Sequence, residues 1–334
     1  MTIIPMTKSS NYEEAKPLFL FKQKSYDFIV EERLPFELDG TGDAFFVYFE
    51  KQNMTTMGII NFLCNELHIS RLTLGVAGLK DKDAITRQWI SIYQSALKKM
   101  GGEEVFLNTL SRVAKIIETT YHIKPVQMTD NITNHFSIRL RATQALGEQT
   151  KIRAQKIVEK LFEEGFPNFF GTQRFGINGK NWEIGKAIVE KKTSIKDNFE
   201  ARFKLQAYAS WLFNQYLKER LPLGRMMIEG EIIKDGQITG PVFGDDVAIA
   251  KPTTKAGVIQ KKFMEKYKIN SEFFACYKKN KIFGIPRPIW VMPSETRVRY
   301  QNDDLLIEFS LPSGSYASIL IYQMLEELER LRNK

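Results

Sequence analysis

At 334 residues and 38.7 kDa, the chain has room for about two domains of ordinary size. Its 43% hydrophobic and 26% charged content excludes a largely disordered polymer, and 2 cysteines are too few for a disulfide framework or a cysteine-based zinc site. The net charge of +9 resides in residues 251–300, where twelve bases face three acids, and no apolar run approaches the roughly 18 residues that span a bilayer.

Met1 to Lys16 lacks a charged stretch followed by an apolar one, so the expectation is a soluble cytoplasmic protein with no membrane contact. Phe45 to Phe49 then reads as a buried strand. From Thr55 the positions Met57, Ile60, Cys64 and Leu67 form a helical stripe, capped by Asn53 or Thr55. Gly78-Leu79-Lys80-Asp81-Lys82-Asp83-Ala84 follows the apolar run Leu72 to Val76 and crowds acid and base into a turn before the strand Ile85 to Tyr93. By itself such a turn is surface chemistry, since Gly and Asp favour turns for backbone reasons. Phe136, Ile138 and Leu140 alternate with Arg139 and Arg141, the period of a half-buried strand. Ile152, Ile157 and Leu161 mark an amphipathic helix that Gly165 stops, and Leu205, Tyr208, Leu212, Phe213 and Tyr216 mark another.

From about Asn181 to Ser294 the texture changes. This stretch carries glycine-rich turns at Gly236 to Gly244 and most of the basic block, interleaved with Phe263, Tyr267, Phe273, Phe274, Tyr277 and Phe283. Those residue types suit phosphates and unstacked bases, and equally a solvated lysine face over an aromatic core. Leu305, Ile307, Phe309 and Leu311 then alternate as a strand, and Ser315 to Leu331 reads as a last helix. Strands and helices mix without regular βαβ alternation, which points to α+β. No phosphate-binding or dinucleotide glycine motif is present, and His68, His122 and His135 lack metal-ligand spacing. The expectation is therefore no metal and no cofactor.

Several blocks in fixed order resemble the tRNA pseudouridine synthase D (TruD) family. They are Asp27 to Glu32 with Asp39 to Asp43, Lys51 to Thr55, Gly78 to Ala84 with Thr86, Gln88 and Trp89, and Asn134-His135-Phe136. Asn168 to Gly176, Ser210 to Asn214 and Leu311 to Ala317 complete the set, while Lys251 to Lys281 has no counterpart. The resemblance implies a tRNA pseudouridine synthase, an isomerase acting on uridine 13, with tRNA as partner and no protein partner. It makes Asp81 the essential catalytic carboxylate, with Lys22 as its cationic neighbour, because Lys80 and Lys82 in a strand would point away. It makes Phe136 the platform for the target base and Phe28 a second wall. Alternation alone places Phe136 in the core. Asn134 on the same face would bond the uracil edge or orient Asp81.

Gln173 and Arg174, the polar members of their aromatic block, would bind substrate, or else the aromatics pack the sheet with Arg174 on a phosphate or acidic partner; Lys261, Lys262 and Lys266 would grip the RNA backbone. The implied fold is a discontinuous α+β catalytic domain with a mixed or antiparallel sheet, at 1–180 and 295–334. A family-specific α+β domain is inserted at 181–294, starting as early as 168. The rival reading is a non-catalytic RNA-binding protein that keeps the fold. An RNA methyltransferase is disfavoured by the missing glycine-rich cofactor loop.

Overall fold

The computed structural model describes residues 17–80, 82, 84–128, 130, 133–176, 178–196, 198–270 and 282–331. Alternating apolar residues build its central sheet. The first strands are β1 (Phe19–Leu20), β2 (Phe28–Arg33), β3 (Ala44–Lys51), β4 (Leu74–Gly75) and β5 (Ile85–Tyr93). They are followed by β6 (Lys115–His122) and β7 (Thr133–Ala142). The C-terminal hairpin β13 (Ser294–Gln301) and β14 (Asp304–Pro312) joins the same sheet. The order is β13-β14-β7-β2-β5-β3-β6, with β1 beside β7 and β4 beside β5. Only β2 and β5 run parallel; every other neighbour pair in this sheet is antiparallel. The sheet is thus mixed, with seven strands from the N-terminal part of the chain and two, β13 and β14, from near the C-terminus.

The helices α1 (Thr56–Leu67), α2 (Gln94–Met100) and α3 (Glu103–Ser111) bury Ile59, Ile60, Leu63, Leu97, Phe106 and Leu110 against Phe45, Val47, Phe49, Ile90 and Ile92. Thr55 is the cap of α1: its hydroxyl accepts from the Gly58 N–H at 3.0 Å. The helices α4 (Glu148–Glu164) and α8 (Ala317–Glu329) cover the other half, where Phe136, Ile138, Leu140, Ile307 and Phe309 pack on Val158, Leu161, Leu320 and Met324. One expectation is corrected. Ile152 is exposed, and α4 buries Ala154, Val158, Leu161 and Phe162, a stripe rotated off the Ile152–Ile157–Leu161 reading.

Two short passages lead out of this layer and back. β8 (Phe166–Pro167) pairs with β12 (Trp290–Val291), and Gly165 takes φ +68° where a Cβ would meet the Val291 carbonyl at 2.4 Å. Only glycine fits such a crossing. Beyond it lie α5 (Asn181–Val189), α6 (Asn198–Arg220), β9 (Ile232–Lys234), β10 (Gln237–Val242), α7 (Lys255–Tyr267) and β11 (Ile285–Pro288). Their own core gathers Ile188, Leu205, Tyr208, Leu212, Phe213, Tyr216, Phe243 and Phe263. The hairpin β9–β10 turns on Asp235 and Gly236, both at positive φ, as a two-residue hairpin requires. Phe169 already packs into this second core. No helix among the described residues is long and apolar enough to cross a membrane.

Candidate functional site

The candidate site lies on the face of β2 and β7, beside the chain that leads into β5. The sheet register fixes which side chains look into it. Glu32 lies opposite Asn134, Val30 opposite Phe136, and Phe28 opposite Ile138, so Phe28, Glu32, Asn134 and Phe136 share one face. Leu311 of β14 lies opposite Asn134 and Phe309 opposite Phe136. The rings stack in a row: Phe136 stands 5.3 Å from Phe309 and 6.0 Å from Phe28, centroid to centroid. Phe28 and Phe136 are both more than nine-tenths buried, so they belong to the core and offer a rim rather than an open face.

Asp81 lies outside the described residues, but its neighbours do not. The Lys80 carbonyl accepts from the Thr56 N–H at 3.2 Å, and the Lys80 N–H donates to the Thr56 hydroxyl at 2.9 Å. The Lys82 carbonyl accepts from the Asn53 N–H, also at 3.2 Å. Asn53 takes φ +59°, which asparagine tolerates better than most residues. The Thr56 hydroxyl donates on to buried Gln88 Oε1 at 2.7 Å. Thus Asn53 and Thr56, at the approach to α1 and its first residue, hold Lys82 and Lys80, the residues on either side of position 81.

The expectation put Lys80 in a strand; it lies instead in irregular chain before β5. The amine donates to Asn134 Oδ1 at 2.6 Å and pairs with Glu32 Oε2 at 3.1 Å. Burial pushes the Glu32 carboxyl above its ordinary range, and Lys80 pulls it part of the way back. The Trp89 N–H bonds its other oxygen at 3.2 Å. Lys22, at φ +56°, holds its amine 4.0 Å above the centre of the Phe28 ring. Just after it, Asp27 is fully buried and takes a bidentate contact from Arg141, 2.7 Å to each oxygen, which pins the entry to β2.

The Glu32–Lys80 pair makes a pH-dependent prediction. A carboxyl whose folded pKa lies above its unfolded value binds its proton more readily when folded, so stability falls as pH rises through that window. Lys80→Met removes the opposing cation and raises the Glu32 pKa further. The expected loss is about 2 kcal/mol near pH 7.5 and less near about pH 5, read from urea melts. An equal loss at both would sink the pairing.

The other expected residues lie elsewhere. Gln173 and Arg174 sit on the 3-10 turn Thr172–Phe175; Gln173 is exposed, while Arg174 is half-buried and donates to the Ser210 hydroxyl at 3.0 Å. Lys261, Lys262 and Lys266 line the exposed side of α7, and two of them have acidic neighbours: Glu265 at 4.0 Å from Lys261 and Glu219 at 2.7 Å from Lys266. Sequence reasoning passed over Glu32, Lys80 as a contact, and Arg287. The signal available was the acidic end of the Asp27 to Glu32 block, since a glutamate at an inward strand position needs a buried cation.

The whole is an α+β fold whose sheet is assembled from both ends of the chain, with a row of rings on one face and a second core inserted between. The crystal structure of a candidate tRNA pseudouridine synthase D (TruD) from Methanosarcina mazei has this fold. It is similar over 94% of this chain and 95% of its own, with a TM-score of 0.63 and 21% identity. Proteins named tRNA pseudouridine synthase D are similar along most of their length. That of a Nitratiruptor species is 30% identical over 92% of this chain and 94% of its own. That of Thermus thermophilus is 28% identical over 90% and 86%. The sequence profile described as "tRNA pseudouridine synthase D (TruD)" matches residues 19–200 and 232–324. The chain belongs to the tRNA pseudouridine synthase D (TruD) family of isomerases.

Proposed function

We propose that the chain converts uridine to pseudouridine in tRNA, at uridine 13, with Asp81 as the essential carboxylate and without a cofactor. The observation that carries this reading is the anchoring around position 81: Lys80 is tied to Thr56 and Lys82 to Asn53, and the Lys80 amine meets Asn134 on the sheet face that Phe28 and Phe136 share. The reaction detaches the base from C1′, turns it and rejoins it through C5, so no electrons and no outside group are needed. An ionised carboxylate held against the nucleotide can serve as nucleophile or take up a sugar proton. Asn134, fixed by Lys80, is left to bond the uracil edge. The exposed rims of Phe28 and Phe136 border the place an extruded base enters, and contact with them offsets part of the stacking it gives up. The Lys22 amine over Phe28 supplies positive charge at the same wall.

In this reading residues 1–180 and 295–334 form the catalytic domain and 181–294 the insertion. The packing of Phe169 into the second core supports a start nearer 168. Its setting is the cytoplasm, where tRNA is modified. The test is pseudouridine mapping, by carbodiimide labelling and primer extension, on unmodified tRNA incubated with the protein alone. The expected result is a stop at uridine 13. A stop elsewhere overturns the substrate assignment, and no stop with tight tRNA binding overturns the synthase in favour of an RNA-binding protein.

The basic face of α7 carries a prediction of its own. Removing one lysine–phosphate interaction lowers the slope of log affinity against log salt by about 0.7–0.9. Lys262 has no carboxylate in ion-pair range among the described residues, whereas Lys261 and Lys266 have theirs. Replacing all three with Ala is therefore expected to lower the slope by about 1, not by the ~2.5 of three free lysines. An unchanged slope would leave this face to solvent.

A further inference from the structure

Two arginines meet where the chain crosses between the two cores. Arg287 of β11 stacks on Phe170, its Cζ 3.9 Å from the ring centre, and the Arg174 Cζ stands 5.8 Å from the same ring. Arg287 is only 8% exposed. Its Nε donates to the Asn168 carbonyl at 3.1 Å and its Nη2 to Asn168 Oδ1 at 2.6 Å, both neutral acceptors. Arg174 has the Ser210 hydroxyl through Nε. Among the described residues neither guanidinium has a carboxylate within ion-pair range, and the outer nitrogen of Arg287 and both of Arg174 have no hydrogen-bond partner. The contrast within the same core is sharp. Arg220, fully buried, is met by both oxygens of Glu231.

A buried cation without a counter-charge is costly, and a second one beside it adds repulsion. Burial pulls Arg287 down to about 10, Tyr316 opposes this, and Arg174 pushes in the same direction as burial. Arg174 is lowered by burial as well. A third source of positive potential faces them. The 13-residue α8 begins after Gly314 and Tyr316 with no side chain capping it. A Cβ on Gly314, at φ +82°, would lie 3.6 Å from Arg287 Nη1, and Tyr316 lies 6.0 Å from Phe170. Uncapped N–H groups at a helix start favour anions.

We infer that Arg174, Arg287 and the first turn of α8 bind a phosphate of the RNA backbone. The place fits a nucleotide near the target. Leu311 pairs with Asn134 and Gly314 follows closely, so the anion site lies at most about 16 Å from Asn134 by chain reach. The inference rests on the tRNA reading above, and its test is separable from the mapping of pseudouridine.

The experiment is tRNA binding against salt for the intact protein, Arg174→Gln and Arg287→Gln, with melting temperatures recorded. Arg174→Gln is half-buried and expected to fold as the parent does. It should weaken tRNA binding about tenfold at moderate salt and lower the salt slope by about 0.7–0.9. Arg287→Gln should do the same if it folds. A second arm uses an RNA stem-loop carrying single uncharged methylphosphonate linkages around the target uridine. One linkage should weaken binding to the parent protein and have little further effect on Arg174→Gln. A merely structural arginine would leave the slope unchanged and would lose affinity additively with that linkage; either result overturns the inference. Inorganic phosphate at constant ionic strength is the third probe. If it raises the parent's melting temperature while no linkage matters, the site holds a free anion and the RNA assignment falls. Loss of the mapping signal with the slope effect intact would instead strike the proposed reaction.

Discussion

Asp81→Asn is expected to lower turnover by at least about 10³-fold while tRNA affinity stays within about twofold. Asparagine matches the shape of aspartate but holds no charge, accepts no proton and forms no ester. The substitution therefore removes chemistry without removing bulk. The segment on either side is held by backbone contacts to Thr56 and Asn53, which a change of side chain at 81 leaves in place. Asp81→Glu keeps the charge and displaces it by one methylene, so it should retain more activity than the asparagine variant if ionisation matters most. Single-turnover assays read by primer extension, with affinity measured on the same RNA, separate the two quantities. Activity lost only in proportion to binding would remove Asp81 from the reaction.

Glu231→Ala is expected to cost about 3–5 kcal/mol of unfolding free energy. Both partners of its pair with Arg220 are fully buried side chains. The Arg220 Nε donates to Glu231 Oε1 at 2.5 Å and its Nη2 to Oε2 at 3.0 Å. The same guanidinium closes the loop after α6 through the Gly224 and Met226 carbonyls, at 2.6 and 2.7 Å. Glu231 also accepts from the Ile228 N–H at 2.8 Å. Removing the carboxylate strands a charge in an apolar core and frees the turn it organises. A double variant, Arg220→Met with Glu231→Leu, should recover much of the loss, because no charge is then stranded. Urea unfolding of the parent and both variants measures this. A single-variant loss below about 1 kcal/mol would mean that water reaches the pair.

The strands were legible wherever one face is buried. Phe136, Ile138 and Leu140, or Leu305 to Leu311, write their burial in a period of two. The neighbours of a strand are not written there: that β2 runs parallel to β5 and lies between it and β7 is decided by packing across the whole layer. The α4 stripe departs from its periodicity because Ile152 is apolar and exposed, whereas Ala154 is small and buried. Lys80 departs from the strand reading because a turn followed by a strand gives no sign of where the turn ends; its direction depends on hydrogen bonds to Thr56, 24 positions earlier. Arg287 escapes notice for a related reason. In sequence it is one base of a basic block, and its burial depends on Phe170 and Asn168 arriving from the other passage of the chain. The family blocks reach further than periodicity, since they join residues that meet only in three dimensions.

The pairing of β7 with β14 governs how the protein comes off the ribosome. Ala142 and Asp304, joined by a 2.9 Å hydrogen bond, are 162 positions apart. At roughly 5–20 residues per second, translation leaves one edge of β7 without its final neighbour for about 10–30 s. During that interval an apolar strand carrying Phe136, Ile138 and Leu140 is open to wrong partners, including the same strand of another nascent chain. The second core, formed from one uninterrupted stretch of sequence, can close in the meantime and carry β13 and β14 back to the waiting edge.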